Sequence, residues 1–153
     1  MNGFKLFIEQ HTEEAKNVRA ALAKVPAAHR RLIDGYTVHW AAGNTLPGDD
    51  QHVGIINPNN KTITLSAAWG YGREFVFLHE LAHKVWECLI SPEQKKEWAG
   101  LVKATKDRPK QNAEEIFCMI YANMFVKHKV KTYDFPELER FVVSAAGAKA
   151  PNS

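Results

Sequence analysis

The sequence has little of what would mark several large classes of protein. Cysteine is scarce: 153 residues contain two, Cys88 and Cys118, and they form no CxxC pair. Each is flanked by apolar residues at helical spacing, so two buried thiols in a reducing compartment are expected. No run approaches eighteen apolar residues, which argues against a membrane-spanning helix. The N-terminal MNGFKLFIEQHTEEAK carries an early lysine, a very short apolar patch and then charges. It does not resemble a secretory leader, so a cytoplasmic location is expected. The excess of positive charge is only +3. The densest basic stretch, KHKVK at 127–131, falls where a helix should end, and cations there suit the negative end of the helix dipole. No broad basic face with interleaved aromatics is present, so no nucleic-acid partner is expected. There is no internal repeat, low-complexity tract or dividing linker. A single domain over residues 1–147 with a frayed tail at 148–153 is the simplest organisation.

What is present suits a folded domain, with 45% hydrophobic and 24% charged residues. Thr12 can cap a first helix with Glu13 and Glu14 in its first turn, and Ala15, Val18, Leu22 and Val25 recur at helical spacing. Pro26 breaks it, a short helix passes through Leu32 and Ile33, and Asp34-Gly35 reads as a turn. YTVHWAA alternates large apolar residues at Tyr36, Val38 and Trp40, as a strand does. After the loop GNTLPGDDQ, the segments HVGIIN and KTITLS flank Pro58-Asn59-Asn60 as a hairpin, with Ile63 and Leu65 toward the core. From Gly72 the pattern is helical, with a stripe of Phe75, Leu78, Ala82, Val85 and Leu89. Ser91-Pro92-Glu93-Gln94 supplies cap, first-turn proline and capping-box partner for a helix carrying Trp98, Leu101 and Val102. The loop TKDRPKQ precedes NAEEIFCMIYANMFVKH, and Asp134-Phe135-Pro136-Glu137 opens a final helix through Phe141 and Val142. The expected class is α+β: a small, mainly antiparallel or mixed sheet followed by helices.

One of those helices contains FLHELAH, with His79 and His83 four residues apart and Glu80 directly after the first. On a helix, residues four apart differ in direction by about 40° and in height by about 6 Å. Both imidazoles can therefore meet one ion at about 2.0–2.1 Å, and zinc accepts nitrogen ligands in tetrahedral geometry. Glu80 lies about 100° around the helix, where it can reach a metal-held water without ligating the ion. From seven histidines and twelve glutamates, about 0.02 to 0.03 HExxH matches are expected by chance in a chain of this length. Zn2+ is therefore the expected cofactor.

A catalytic zinc ordinarily takes three protein ligands and leaves one position open. HELAHKVWECL places no third histidine soon after the pair, and the next histidine, His128, stands outside any such motif. A carboxylate on the later helix, Glu114 or Glu115, is the better candidate, and helical phase alone does not separate the two. Glu115 also has a plain alternative role: Asn112 can cap that helix with Glu115 as its capping-box partner.

HELAH followed by EEIFCMIYA resembles the gluzincin peptidases of the anthrax lethal-factor catalytic-domain type, which include the Pro-Pro endopeptidases. Their helix reads roughly E-x-F-A-E-x-F/Y, and its first glutamate binds zinc. Laid on residues 115–121, the resemblance implies Glu115 as third ligand beside His79 and His83, Glu80 as catalytic base, and a zincin-like fold. LAKVPAAHRRLIDGYTVHW is similar to that family's leucine, proline, short-helix and strand sequence. KTITLS corresponds to its substrate-aligning edge strand. The likeness spans most of residues 15–125, but only HExxH and the glutamate helix are specific. Two positions depart from the pattern. Met119 stands where the family has a second glutamate, and Arg108 where lethal factor has an oxyanion-stabilising tyrosine. Arg108 becomes a candidate for that catalytic role, with Lys110, Tyr121 and Tyr133 behind it.

Trp86 and Trp98 read as core, while Trp69 and Tyr71, in the loop AAWGYGRE, can line a cleft. His39 and His52 lie in or near strands away from the metal, and His11 and His29 read as surface residues. The leading expectation is a zinc endopeptidase acting on an extended protein or peptide substrate aligned along residues 62–66. Two rivals are a repressor-cleaving regulatory metallopeptidase, suggested faintly by YANMF, and a zinc-stabilised binding module without turnover.

Overall fold

The structure, a computed structural model, describes residues 6–8, 13–40, 54–66 and 72–147. The Thr12 cap, the GNTLPGDDQ loop, His11, His52, Trp69, Tyr71 and the tail from 148 lie outside them. Strand β1 (Leu6–Ile8) leads into helices α1 (Glu13–Lys24) and α2 (Ala27–Arg30) and a 3-10 turn (Arg31–Ile33). Strands β2 (Tyr36–Trp40), β3 (Gly54–Asn57) and β4 (Thr62–Leu65) follow. Then come α3 (Arg73–Leu89), α4 (Pro92–Ala104), α5 (Ala113–Phe125), a second 3-10 turn (Lys131–Tyr133) and α6 (Pro136–Ala146). The α+β class is as expected. Strand β1 was not foreseen, because three residues are too few to display a period.

The strands form one mixed sheet in the order β1-β2-β4-β3. β3 and β4 make the expected antiparallel hairpin, but β2 pairs parallel with both β1 and β4. This corrects the assignment of KTITLS as an edge strand: β4 is interior, and among the described residues the edges are β1 and β3. The hairpin signal is local, whereas the parallel pairing sets Val38 beside Ile63 across a long connection. Both residues are fully buried on one face, with Leu65. Thr62 and Thr64 face the other way, half-buried, as alternation requires.

α3 covers the buried face of β3 and β4 and packs along α5 on its other side. Phe75, Leu78, Ala82 and Val85 of its stripe are fully buried. Leu89 departs from the expected stripe and is 38% exposed. The chain leaves the helix at Ile90 in an extended conformation, and the Ile90 side chain turns inward in its place. Cys88, in the same last turn, is exposed, contrary to expectation, while Cys118 is buried.

α4 starts with the full capping box: Ser91 Oγ accepts from the Gln94 backbone at 3.1 Å, and Gln94 Oε1 accepts from the Ser91 backbone at 2.9 Å. Trp98 is buried as expected, and its indole N–H donates to the Ala113 carbonyl at 2.7 Å. That bond pins the start of α5. Residues 116–125 of α5 are all buried, so this helix passes through the middle of the helical half. At its C-terminal end Lys129 donates to the carbonyls of Asn123 and Met124, at 3.1 and 3.4 Å, in line with the dipole reading of KHKVK.

His29 overturns its surface assignment, being 1% exposed. Its Nε2–H donates to the Ala146 carbonyl at 2.8 Å, so Nδ1 accepts from the Tyr121 hydroxyl, also at 2.8 Å. The ring bridges α2, α5 and the end of α6, a convergence that polar sequence neighbours do not reveal. No helix among the described residues is long and apolar enough to cross a membrane.

Candidate metal centre

Four-residue spacing on α3 sets the His79 and His83 rings 4.9 Å apart at 85° to each other. Packing of α5 against α3 brings Glu115 to both. Glu115 Oε2 lies 2.9 Å from His79 Nε2 and 3.5 Å from His83 Nε2. One donor atom from each of these three residues falls within 4.8 Å of the others. A tetrahedral ion with bonds of about 2.0–2.1 Å holds its ligand atoms about 3.3 Å apart. The two separations bracket that value. Two imidazole nitrogens and a carboxylate oxygen are also a donor set that zinc accepts, so the residues present fit such an ion.

The adjacent glutamates of α5 divide the work. Asn112 Oδ1 caps the helix by accepting from the Glu115 backbone at 2.8 Å, but the Glu115 carboxylate turns to the histidines. Glu114 turns instead to the far nitrogen of His83, with Oε2 2.7 Å from Nδ1. An Nδ1–H held this way turns Nε2 toward the centre, and its lone pair becomes available once the Nε2 proton is lost. Glu114 thus supplies a supporting carboxylate that Met119, a buried side chain, does not.

Glu80 stands beside the cluster, with Oε2 4.0 Å from His79 Nε2. Both residues are buried, at 7% and 2% exposure. Edge strand β3 closes over Glu80 from the sheet side. A β-carbon on Gly54 would lie 2.7 Å from Val76 Cγ1, 2.9 Å from Glu80 Cγ and 3.1 Å from Glu80 Oε2.

Carboxylates dominate the electrostatics of the cluster. Burial by itself would lower the pKa of His83. Hydrogen bonds to Glu115 and Glu114 and the charge of Glu80 outweigh it and hold the ring at about 9. Hydrogen bonds from His79 and His83 hold the Glu115 carboxyl well below the usual carboxylate range. Burial, followed by the charges of Glu115, Glu114 and Glu80, pushes the Cys118 thiol well up.

His79, His83, Glu115 and Glu80 thus come together, and Arg108 is placed elsewhere. Its guanidinium is exposed and donates to the Lys103 carbonyl at 3.4 Å, on the way from α4 to α5. Lys110 is exposed. Tyr121 is buried against His29, and Tyr133 is buried beside Phe75 at 6.0 Å between rings. Sequence reasoning missed the bond from Glu114 to His83 and the close approach of Gly54. A glycine inside a strand pattern was a usable signal for the second. Comparison of the chain with the models of known protein families, with curated proteins and with solved structures finds no match.

Proposed function

We propose that the protein is a zinc-dependent endopeptidase. The observation that carries this reading is the meeting of His79 Nε2, His83 Nε2 and Glu115 Oε2 at one point, with the Glu80 carboxylate alongside. His79, His83 and Glu115 would hold the ion, and Glu114 would fix the tautomer and orientation of His83. Zinc, when bound, supplies a Lewis acid that makes water nucleophilic near neutral pH and polarises a carbonyl. Glu80 takes the proton of the attacking water and passes it to the leaving amine. The structural role of a metal needs no such carboxylate, which favours turnover over a binding module.

The substrate class follows from the sheet. An extended protein or peptide chain can add its backbone to β3, whose partner strand among the described residues is β4 and whose first residue has no room for a β-carbon beside Glu80. This moves the proposed substrate strand from residues 62–66 to β3. Two cysteines without a disulfide suit a reducing, cytoplasmic setting.

The test is cleavage of a diverse peptide library by the wild type and by E80Q, with zinc content measured in both. Cleavage by the wild type, reduced by about a hundredfold to ten-thousandfold in E80Q with zinc retained, is the expected result. Zinc bound without cleavage by either protein would replace the peptidase reading with the binding module.

A further inference from the structure

We infer that Gly54 is a positioning residue for the Glu80 carboxylate, an inference that rests on the peptidase reading. Among the described residues, β3 is the edge strand on the side of the sheet where α3 carries the candidate metal centre. Gly54 is buried, and it pairs with Leu65 on the face that α3 covers. The separations of a built β-carbon from Val76 Cγ1 and Glu80 Cγ, 2.7 and 2.9 Å, fall well short of the about 3.5–4.0 Å at which carbon atoms pack without repulsion, and Glu80 Oε2 lies at 3.1 Å.

Conformation does not demand this glycine, since its φ is outside the range that favours glycine while those of Gly35, Gly72 and Gly147 are inside it. The demand is for space. The Val76 side chain is fully buried and Glu80 nearly so, which leaves neither free to swing aside. The bare backbone of residue 54 therefore forms a wall against the Glu80 side chain. It restricts the carboxylate to positions beside His79 Nε2, where the proton transfer takes place. A side chain at residue 54 would push that carboxylate along α3 or force β3 off the helix.

Geometry of this kind acts on turnover. A general base displaced by up to about 1 Å loses rate on the order of a hundredfold, without altering how substrate or metal is held. G54A is thus expected to lower kcat by about tenfold to a hundredfold. With β3, the proposed substrate strand, still in place, KM should stay within about twofold, and zinc content should equal that of the wild type. Because the new methyl also meets Val76, G54A/V76A is the companion variant. It removes the tightest contact and protects the fold, yet leaves the conflict with Glu80, so its kcat should stay low.

A second readout needs neither zinc nor substrate. Thermal unfolding of the metal-free G54A, E80A and G54A/E80A proteins forms a double-mutant cycle. The fall in Tm caused by G54A should be smaller when Glu80 is already alanine. Wild-type kcat in G54A, recovery of kcat in G54A/V76A, or loss of zinc from G54A would each overturn the inference. So would additive Tm changes in the cycle. If the wild type binds zinc and cleaves nothing, the positioning role falls with the peptidase reading, while the Tm cycle still reports the Gly54–Glu80 contact on its own.

Discussion

Two histidine sites sit against the same helix, α5, and differ in nearly every electrostatic respect. His29 meets a hydroxyl and a backbone carbonyl, Tyr121 and Ala146, each at 2.8 Å. Burial lowers its pKa, so it serves as a neutral connector between elements. His83, with His79, meets three carboxylates, those of Glu80, Glu114 and Glu115, and is held up at about 9. His29 is buried and His83 half-buried, yet burial pulls both pKa values down, so it does not distinguish a structural histidine from a candidate ligand. What distinguishes them is the charge and direction of the partners. Neutral partners that use both ring nitrogens complete a core. Carboxylates that converge with two ring nitrogens on one point leave a place for a cation.

The comparison can be broken at either site. The largest effect is expected from E115Q, which removes the only charged donor of the three. Zinc affinity should fall more than about a hundredfold, beyond the range of outer-shell changes, by competition against a chromophoric chelator. Unchanged affinity would remove Glu115 from the centre. E114Q should fall about tenfold to a hundredfold in the same assay, because His83 keeps its position but loses its anionic partner. Equal losses in the two variants would mean that both glutamates are ligands.

H29A should behave in the opposite way. It leaves the Tyr121 hydroxyl and the Ala146 carbonyl buried without this partner, at a cost of about 2–4 kcal/mol in urea unfolding. Its zinc affinity should equal that of the wild type. A weakened metal site in H29A would show that the two ends of α5 are coupled.

The smallest effects are in pH dependence, and the two histidines have opposite signs. In the metal-free protein, the raised pKa of His83 adds stability that is fully present below about 6.5 and is lost as pH rises through about 9. The lowered pKa of His29 adds stability present above about 6.5 and lost as pH falls through its folded value. H83A should therefore flatten the alkaline side of the stability profile, and H29A the acid side. On the proposed metal-centre reading, zinc competes with the His83 proton, so its affinity should rise with pH from 6 to 8. A flat profile would mean that His83 gives up no proton to the metal.

The sequence by itself determined what depends on short range. Helical periodicity decided α1, α3 and α4, and Ser91 with Gln94 decided where α4 begins. The spacing of His79 and His83 put both rings on one face, because 3.6 residues per turn leave no other outcome on a helix. Proline, two asparagines and alternating apolar residues decided the β3–β4 hairpin. Only the tertiary structure decided which strand became the edge, that His29 is buried, that Arg108 stands apart, and which carboxylate each histidine meets. Glu114 and Glu115 are adjacent in sequence and similar in local preference, and Asn112 gave Glu115 a local role as well. They separate only when α5 is laid against α3 at one particular rotation, and that rotation is set by the packing of side chains far apart in the chain.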